Sequence, residues 1–353
     1  MPRTDEEKVV RRVSPAEPPI KIFLEKEMKL ANIFQPGKLT RILYGSDFHG
    51  SDAVFRKFIA SSLQYQASIL IVGGDVTGKA MVPVIHQGNG KYVGSWFGKQ
   101  ETAGTPDELE KIKKEISRVG FYPIVLEKDE AEELENQPEK MSIRFEKEMC
   151  QRVREWMALA EEKLTPRKAT LYFMAGNDDL YSIDDVIAEY KSIRNPDKAR
   201  FEIEGGYEIV GLSNANMTPW ACARDIEEDE MARKLDALAG LIQNPERTIA
   251  VLHVPPIGSG LDTCPDLDKN LKMITSGGQV VMKSAGSSAV KAFIEKVQPM
   301  LSLHGHIHES PGHVHIGRTL AINAGSEYAE AIMKAAIINL ENGKVKGHLL
   351  ISG

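Results

Sequence analysis

Cysteine is scarce in this chain of 353 residues, which contains only Cys150, Cys222 and Cys264. Because their number is odd and they lie far apart, the sequence argues against a disulfide framework and against a zinc site built from thiolates. We therefore expect three free thiols, and we expect any metal site to use other side chains.

Long apolar runs are also missing. No segment approaches the roughly 18 consecutive apolar residues that a membrane-spanning helix needs, and the chain start, MPRTDEEK, is too charged for a secretory signal. These absences predict a cytoplasmic protein that has no membrane partner.

An excess of positive charge is missing as well. The chain has 44 lysines and arginines against 50 aspartates and glutamates, which gives a formal net charge of −6 with histidine neutral. Duplex nucleic acid is therefore not an expected partner, because such binding relies on many cationic contacts with phosphates. The overall composition, 42% hydrophobic and 27% charged, is that of an ordinary globular protein, and the length allows about two domains.

What the sequence does contain is one pattern repeated five times, an apolar run that ends in side chains able to bind a metal. Short apolar runs bounded by glycine are typical of buried strands. In a sheet covered on both faces, ligands bind beyond the carboxyl ends of the strands. The runs therefore predict a single site, whose donors are Asp47, His49, Asp75, Asn177, His253, His306 and His308.

The last of these runs ends in His306 and His308, which are one residue apart. If the chain is extended there, their side chains point to the same side, so the pair is a candidate for one metal cluster. The alternative is that both lie on a polar strand face. His313 and His315 have the same spacing but no other metal-type residue beside them, so the donors of the earlier runs are what favour a metal site.

Domain organisation follows from the spacing of the runs. We divide the chain into an N-terminal arm at residues 1–38 and a domain at residues 39–353. Apolar residues at helical spacing in residues 51–66 predict a strand, helix, strand start. About a hundred residues separate the second and third runs, far more than one crossover helix needs, so residues 79–167 are predicted to be an inserted module.

Local signals describe the insert and a second long segment. Gly88-Asn89-Gly90 between two β-rich runs predicts a hairpin. Thr105 to Glu108 is a capping box that begins a helix, and an apolar stripe from Glu139 to Leu164 predicts a helix packed on the core. Residues 255–286 are rich in glycine, proline and aspartate and predict a long loop of the kind that often shapes a functional site.

The donor set itself restricts the metal. A single hydrolytic zinc ion takes three protein ligands, whereas the larger set present here suits two metals that share a carboxylate. Imidazole and carboxylate ligands without thiolate favour Mn, Fe, Co, Ni or Zn over Mg or Ca. We therefore expect two divalent or trivalent transition-metal ions as cofactors.

The order and relative spacing of five motifs resemble those of the calcineurin-like metallophosphoesterases. The motifs are Asp47-Phe48-His49, Gly74-Asp75, Gly176-Asn177, His253 and Gly305-His306-Ile307-His308. The resemblance covers about residues 40–78 and 168–330, and further local matches are similar to the small bacterial and archaeal phosphodiesterases. It implies an α/β protein, a four-layer α/β/β/α sandwich of two mixed β-sheets.

The resemblance also implies roles for the donors. One metal would be held by Asp47, His49, Asp75 and His308. The other would be held by Asp75, Asn177, His253 and His306, so that Asp75 bridges the two. A hydroxide between the metals would attack the phosphorus in line, and Asn177 would help to stabilise charge on the phosphoryl oxygens.

One position departs from the family pattern. The family commonly has histidine after the asparagine of the third motif, as a candidate acid near the leaving group, whereas this chain has Asp178. Two nearby cations would keep its carboxyl ionised and make Asp178, the second candidate catalytic residue beside Asn177, a poor proton donor. Either the leaving groups need little protonation, or a histidine from elsewhere reaches the site. His86 in the predicted hairpin is that candidate, and an exposed hairpin residue is the alternative.

The leading functional hypothesis is a dinuclear-metal-dependent phosphoesterase that hydrolyses a phosphodiester of a small molecule or nucleotide. A nuclease or a phosphomonoesterase acting through the same site is the alternative among enzymes. A non-catalytic, metal-stabilised scaffold that binds proteins is the alternative from another class, and the retention of every donor argues against it.

Overall fold

The computed structural model describes residues 39–353, and Leu39–Gly353 forms one compact unit. The N-terminal arm predicted at residues 1–38 lies outside the described residues. The α-helices of the described part are α1 (Asp52–Gln64), α2 (Pro106–Arg118), α3 (Lys128–Asn136), α4 (Pro138–Leu164), α5 (Ser182–Ala188), α6 (Glu228–Ala239) and α7 (Ser288–Val297).

The strands of the described part are β1 (Thr40–Gly45), β2 (Ile69–Gly73), β3 (Met81–His86), β4 (Tyr92–Trp96), β5 (Lys99–Ala103), β6 (Tyr122–Leu126), β7 (Thr170–Met174), β8 (Arg200–Ile203), β9 (Tyr207–Leu212), β10 (Ala215–Asn216), β11 (Asp225–Ile226), β12 (Thr248–Leu252), β13 (Thr263–Pro265), β14 (Thr275–Ser276), β15 (Gln279–Val280), β16 (Met282–Ser284), β17 (Leu301–His304), β18 (Gly312–Ile316), β19 (Thr319–Asn323), β20 (Lys334–Glu341) and β21 (Lys344–Ser352).

Two mixed sheets form the framework. The first has the strand order β21-β20-β1-β2-β7, in which β1, β2 and β7 are parallel and β20 and β21 are antiparallel to their neighbours. The second has the order β18-β19-β17-β12-β9-β8, in which the four central strands are parallel and the two edge strands are antiparallel. This confirms the predicted mixed α/β fold.

Alternating side chains on these strands pack in opposite directions. On β1, Leu43 packs with α1 and α4, whereas Ile42 and Tyr44 pack against the second sheet. On β12, Val251 packs against the first sheet, and Ala250 packs with α6 and α7. One hydrophobic cluster thus joins the two sheets, and two others join a sheet to helices.

The segments β1, α1 and β2 form the strand, helix, strand unit that the sequence predicts. Ser51 is the N-cap of α1, and its side chain accepts a hydrogen bond from the backbone N–H of Val54. Because β1 and β2 pair in parallel, the chain leaves Gly45 and Gly73 at the same edge of the sheet. Metal-type residues follow both strands at this edge.

A third sheet, of order β5-β4-β3-β6, lies within residues 79–167. β3 and β4 form a hairpin around Gly88-Asn89-Gly90, and Thr105 and Glu108 cap α2 reciprocally as a capping box should. The long helix α4 spans the predicted apolar stripe, and its buried residues begin at Met149. Met141 is half-buried, whereas Trp156 is fully buried.

Residues 255–286, predicted as a long loop, contain two short antiparallel ladders. β13 pairs with β16, and β14 pairs with β15 further out. The segment therefore folds back on itself as an extended hairpin. None of the helices in residues 39–353 is both long and apolar enough to cross a membrane.

Candidate metal centre

The candidate ligands follow five parallel strands, three from the first sheet and two from the second. Asp47, Asp75 and Asn177 follow β1, β2 and β7, while His253 and His306 follow β12 and β17. Backbone hydrogen bonds join the first two of these segments, from Asp47 N to the Gly74 carbonyl and from His49 N to the Asp75 carbonyl, both 2.9 Å. The strand ends therefore deliver the donors to one place.

The backbone at the donors is strained. Asp47, Asp75 and His306 have φ angles of 58°, 49° and 64°, in the left-handed region that costs a non-glycine residue about 1 to 3 kcal/mol. Such strain persists only where the surrounding structure imposes it, and it is concentrated at functional sites. The strain accompanies sharp turns that direct these side chains inward.

The structure corrects the expected geometry of the His306 and His308 pair. β17 ends at His304, and His306 has a left-handed backbone, so the pair does not lie on an extended strand. The two side chains do not share one side. His306 lies beside His253, with ring centroids 5.3 Å apart, and His308 lies beside His49, with centroids 5.0 Å apart.

The donors form two groups. In the first, the Nε2 atoms of His49 and His308 are 3.1 Å apart, and His308 Nε2 is 3.5 Å from Asp47 Oδ1. In the second, Asn177 Oδ1 lies 3.1 Å from His253 Nε2 and 2.9 Å from His306 Nδ1. Each group brings its donor atoms close enough to bind one metal ion.

Asp75 lies between the two groups and offers one oxygen to each. Its Oδ2 is 3.7 Å from His49 Nε2, and its Oδ1 is 3.3 Å from His253 Nε2. A carboxylate so placed could be shared by two metals, one in each group. The structure thus brings together all the ligands that the sequence predicts, and it places His306 and His308 in different groups.

Burial and neighbouring charges set the protonation of these groups. Burial lowers the pKa of His49 to about 3 and, with His253 nearby, that of His306 to about 4. Burial alone would raise the pKa of Asp75, but His253 and the other histidines hold it well below its usual range. Although burial alone would lower it, Asp75 raises the pKa of His253 to about 9, so a metal that bound there would displace a proton. Neutral imidazoles and ionised carboxylates are the forms that bind metals.

Two buried atoms of the first group lack a partner and so indicate whether a cation would fit there. Asp47 Oδ2 and His49 Nδ1 are both buried and have no hydrogen-bond partner. An unpartnered buried carboxylate oxygen is costly, and a cation beside Asp47 would remove that cost. The carboxylate, amide and imidazole donors suit a transition metal better than magnesium or calcium. The residues present therefore fit a dinuclear centre.

Glycines leave room for the ligands to approach each other. A Cβ atom added to Gly305 would lie 2.1 Å from Ser46 Oγ and 2.2 Å from Asp47 Oδ2. A Cβ atom added to Gly176 would lie 2.2 Å from Asp75 Oδ1. These positions have no space for a side chain because the ligands occupy it.

Replacing Gly305 by Ala is expected to displace Asp47, to weaken metal binding at least tenfold, and to destabilise the fold by about 1 to 3 kcal/mol through overpacking. The matched control is Gly347→Ala, because a Cβ atom there meets nothing within 4 Å. Isothermal titration with Mn²⁺ and thermal denaturation measure the two effects. Equal metal affinity in the two variants would contradict the close approach at Gly305.

Asp225 was not evident from the sequence but positions a predicted ligand. Its Oδ1 accepts a hydrogen bond from Asn177 Nδ2 at 2.8 Å, which turns Asn177 Oδ1 toward the histidines. Its Oδ2 accepts hydrogen bonds from the backbone N–H groups of Thr218 and Cys222. No pattern around Asp225 reveals this role, because it depends on contact with a residue 48 positions away.

Replacing Asp225 by Ala is expected to weaken metal affinity about 10- to 100-fold, the usual effect of losing a residue that orients a ligand. Asp225→Asn should retain an acceptor for Asn177 and lie between Ala and the wild type. Asp268→Ala is the control, since Asp268 also accepts backbone hydrogen bonds but lies in the 255–286 segment. If Asp225→Ala lowers thermal stability without changing metal affinity, the positioning role is wrong.

Asp178 stands beside the centre and pairs with a lysine. Its backbone N–H donates to Asp75 Oδ1 at 3.0 Å, and its Oδ2 lies 3.1 Å from Lys79 Nζ and 3.7 Å from His49 Nδ1. Although burial would lower it, the pKa of Lys79 is raised by Asp178. The sequence did not indicate Lys79, which lies four residues beyond Asp75.

His86, the candidate substrate-binding histidine, lies elsewhere. Its Nδ1 is 3.0 Å from Glu127 Oε1, and its ring stacks on Tyr92 with centroids 4.8 Å apart. It is not among the residues that line the pocket at the centre. The cationic side chain that reaches Asp178 in the structure is Lys79.

A pocket of about 740 Å³ opens from the centre. Its floor includes Asp75, Asn177 and His306, and its walls come from residues 216–222 and 264–285. The volume lies within the usual range of small-molecule sites, about 300 to 1,000 Å³. A substrate larger than a phosphate group therefore has room beside the metals.

Comparisons with known proteins agree with the architecture. TT1561 of Thermus thermophilus has a TM-score of 0.50 at 14% identity, and the match covers 90% of this chain and 99% of that one. A dimetal phosphatase from Danio rerio has a TM-score of 0.43 at 8% identity, over 90% of this chain and 99% of that one. No protein-family model matches the sequence, and no curated protein matches it. At these identities the likeness concerns the fold alone, and the match to TT1561 agrees with the predicted mixed α/β architecture.

Proposed function

We propose that the chain is a dinuclear metal-dependent phosphoesterase that hydrolyses a phosphodiester of a small molecule or nucleotide. The observation that carries the proposal is the pair of donor groups that share Asp75 and open into one pocket. Retention of a complete ligand set favours catalysis over a scaffold that only binds proteins. When bound, the two metals supply Lewis acidity and lower the pKa of a water toward about 7.

The protein's own residues bind and orient the ester. Asn177 is held by Asp225, so its amide is fixed beside the position of the phosphoryl group. Lys79 is half-exposed at the pocket and places a positive charge next to the centre, where it can stabilise a developing oxyanion. Asp178 fixes the Lys79 ammonium. Because its carboxylate pairs with Lys79, Asp178 is not assigned as the acid for the leaving group, and the proposal favours leaving groups that need little protonation.

The test is a metal-resolved screen of substrates. Chelated protein is reloaded with Mn, Fe, Co, Ni or Zn and assayed on bis(p-nitrophenyl) phosphate, p-nitrophenyl phosphate and single-stranded oligonucleotides. We expect the diester to be hydrolysed best, and we expect His306→Ala to remove the activity. His313→Ala is the matched control, since His313 packs against His348 on the outer strands.

Four outcomes would change the proposal. Preference for the monoester would make the chain a phosphomonoesterase, and oligonucleotide cleavage that falls steeply with salt would make it a nuclease. Absence of hydrolysis with every metal would favour the protein-binding scaffold. Activity that survives in His306→Ala would place the reaction outside this centre.

A further inference from the structure

Large apolar side chains line the pocket and face solvent. Trp220 and Met273 are each 61% exposed, and Met217 is 48% exposed. All three line the pocket that opens from the metal centre. Exposed apolar side chains inside a pocket, next to a polar centre, are typical of a ligand-binding site.

The turn that presents Trp220 is fixed to a metal ligand. Ala221 N donates to the Thr218 carbonyl at 3.2 Å, and Ala221 has a left-handed φ of 48°. The turn is held at both ends by Asp225, which accepts from Thr218 N at 3.1 Å and from Cys222 N at 2.9 Å. The same carboxylate orients Asn177. The backbone that carries Trp220 therefore has a set position relative to Asn177.

Polar groups line the pocket as well. Asn216 and Ser284 line the same pocket, as does Lys283, whose Nζ is 2.8 Å from Asp266 Oδ1. A flat ring with polar edges can stack on an indole and hydrogen-bond with an amide and a hydroxyl. An alkyl chain would cover these polar groups without pairing them, which is unfavourable.

We propose that Trp220, with Met217 and Met273, forms a stacking site for a flat aromatic group of the ester, such as a nucleobase. The site makes a nucleotide-type phosphoester the substrate class. Base-to-aromatic stacking is sequence-tolerant, since every base has a π-face, and the site therefore recognises a ring without selecting one base. The stacking site depends on the proposed function in one respect only, which is that the phosphate group of the ligand is placed at the metal centre.

Tryptophan fluorescence tests the site without measuring activity. The chain has three tryptophans. Trp156 is fully buried, and Trp96 belongs to the inserted sheet. Adenosine monophosphate is expected to quench the emission of the Mn²⁺-loaded protein, whereas ribose 5-phosphate, which lacks the base, is not. In Trp220→Phe the quenching should disappear.

Calorimetric affinities then separate stacking from plain apolar contact. For adenosine monophosphate we expect Trp220→Ala to weaken binding about tenfold or more, Trp220→Phe to stay within about threefold of wild type, and Trp220→Leu to resemble Ala. Ribose 5-phosphate should bind all variants alike. Phe97→Ala is the control, because Phe97 is 68% exposed on the insert and does not line the pocket.

The outcomes distinguish this inference from the proposed function. If Trp220→Ala binds the nucleotide as tightly as wild type, the stacking site is wrong. Rescue by Leu as complete as rescue by Phe would also overturn it, in favour of an alkyl occupant. Base-dependent binding through Trp220 in a protein that hydrolyses no phosphoester would retain the stacking site and reject the proposed function.

Discussion

Replacement of Asp75 by Asn is expected to lower phosphodiester turnover by about a thousandfold or more and to weaken both metals together. Asp75 offers one oxygen to each donor group. Metal ions contribute several kcal/mol to stabilising the transition state of such a reaction, and about 4 kcal/mol corresponds to that factor. Initial rates with bis(p-nitrophenyl) phosphate measure turnover, and elemental analysis of the purified protein measures metal content.

The histidine variants provide the contrast. His306 and His308 belong to different groups, so each Ala variant should lose about one of two ions, whereas Asp75→Asn should lose both. His313→Ala should keep both ions, because its ring packs against His348. If Asp75→Asn retains one tightly held ion while His306→Ala loses both, the shared carboxylate has been assigned wrongly.

The candidate ligands could be predicted from the sequence because each lies within four residues of the end of a strand. The runs that end at Gly45 and Gly73 are short, apolar and bounded by glycine, so both the strand and its carboxyl end are visible locally. Parallel strands deliver such ends to one edge. The residues of the site could therefore be identified without knowledge of long-range contacts.

The orientation of the last histidine pair could not be predicted in the same way. The side chains of His306 and His308 would point to the same side only if the chain were extended there. Instead, β17 ends at His304, and the chain turns through His306 in a left-handed conformation. The turn places Gly305 against Ser46 and Asp47, which are about 260 positions earlier in the chain. A contact between residues so far apart in the chain cannot be recognised from the local sequence.

The residues around the centre were missed for a related reason. Lys79 and Trp220 lie in loops, and Asp225 begins the short strand β11. Lys79 gains its role from contact with Asp178, Asp225 from contact with Asn177, and Trp220 from the pocket that it lines. β5 also escaped prediction, because its sequence KQETA is polar and lacks the run of β-branched and aromatic residues typical of strands. Its pairing with β4 supplies the strand conformation instead.

Replacement of Trp156 by Ala is expected to lower the free energy of unfolding by about 3 to 5 kcal/mol, the usual cost of truncating a fully buried aromatic side chain. Trp156 is 0% exposed and stacks on Phe55, with ring centroids 4.4 Å apart and planes at 6°. Its Nε1 donates to Asp52 Oδ1 at 3.2 Å, which joins α4 to the first turn of α1. Denaturant unfolding followed by circular dichroism measures the loss.

The substitution Trp156→Ala should also affect the metal centre, because the Trp156 ring contacts Phe48, with ring centroids 6.5 Å apart. Phe48 lies between Asp47 and His49 in the sequence, so a cavity beneath it loosens two ligands of one metal. We expect Trp156→Ala to weaken that metal and saturating metal to restore part of the lost stability. Trp220→Ala, at an exposed position, should change stability by no more than about 0.5 kcal/mol. Equal destabilisation by the two substitutions would mean that α4 does not pack on the core as described.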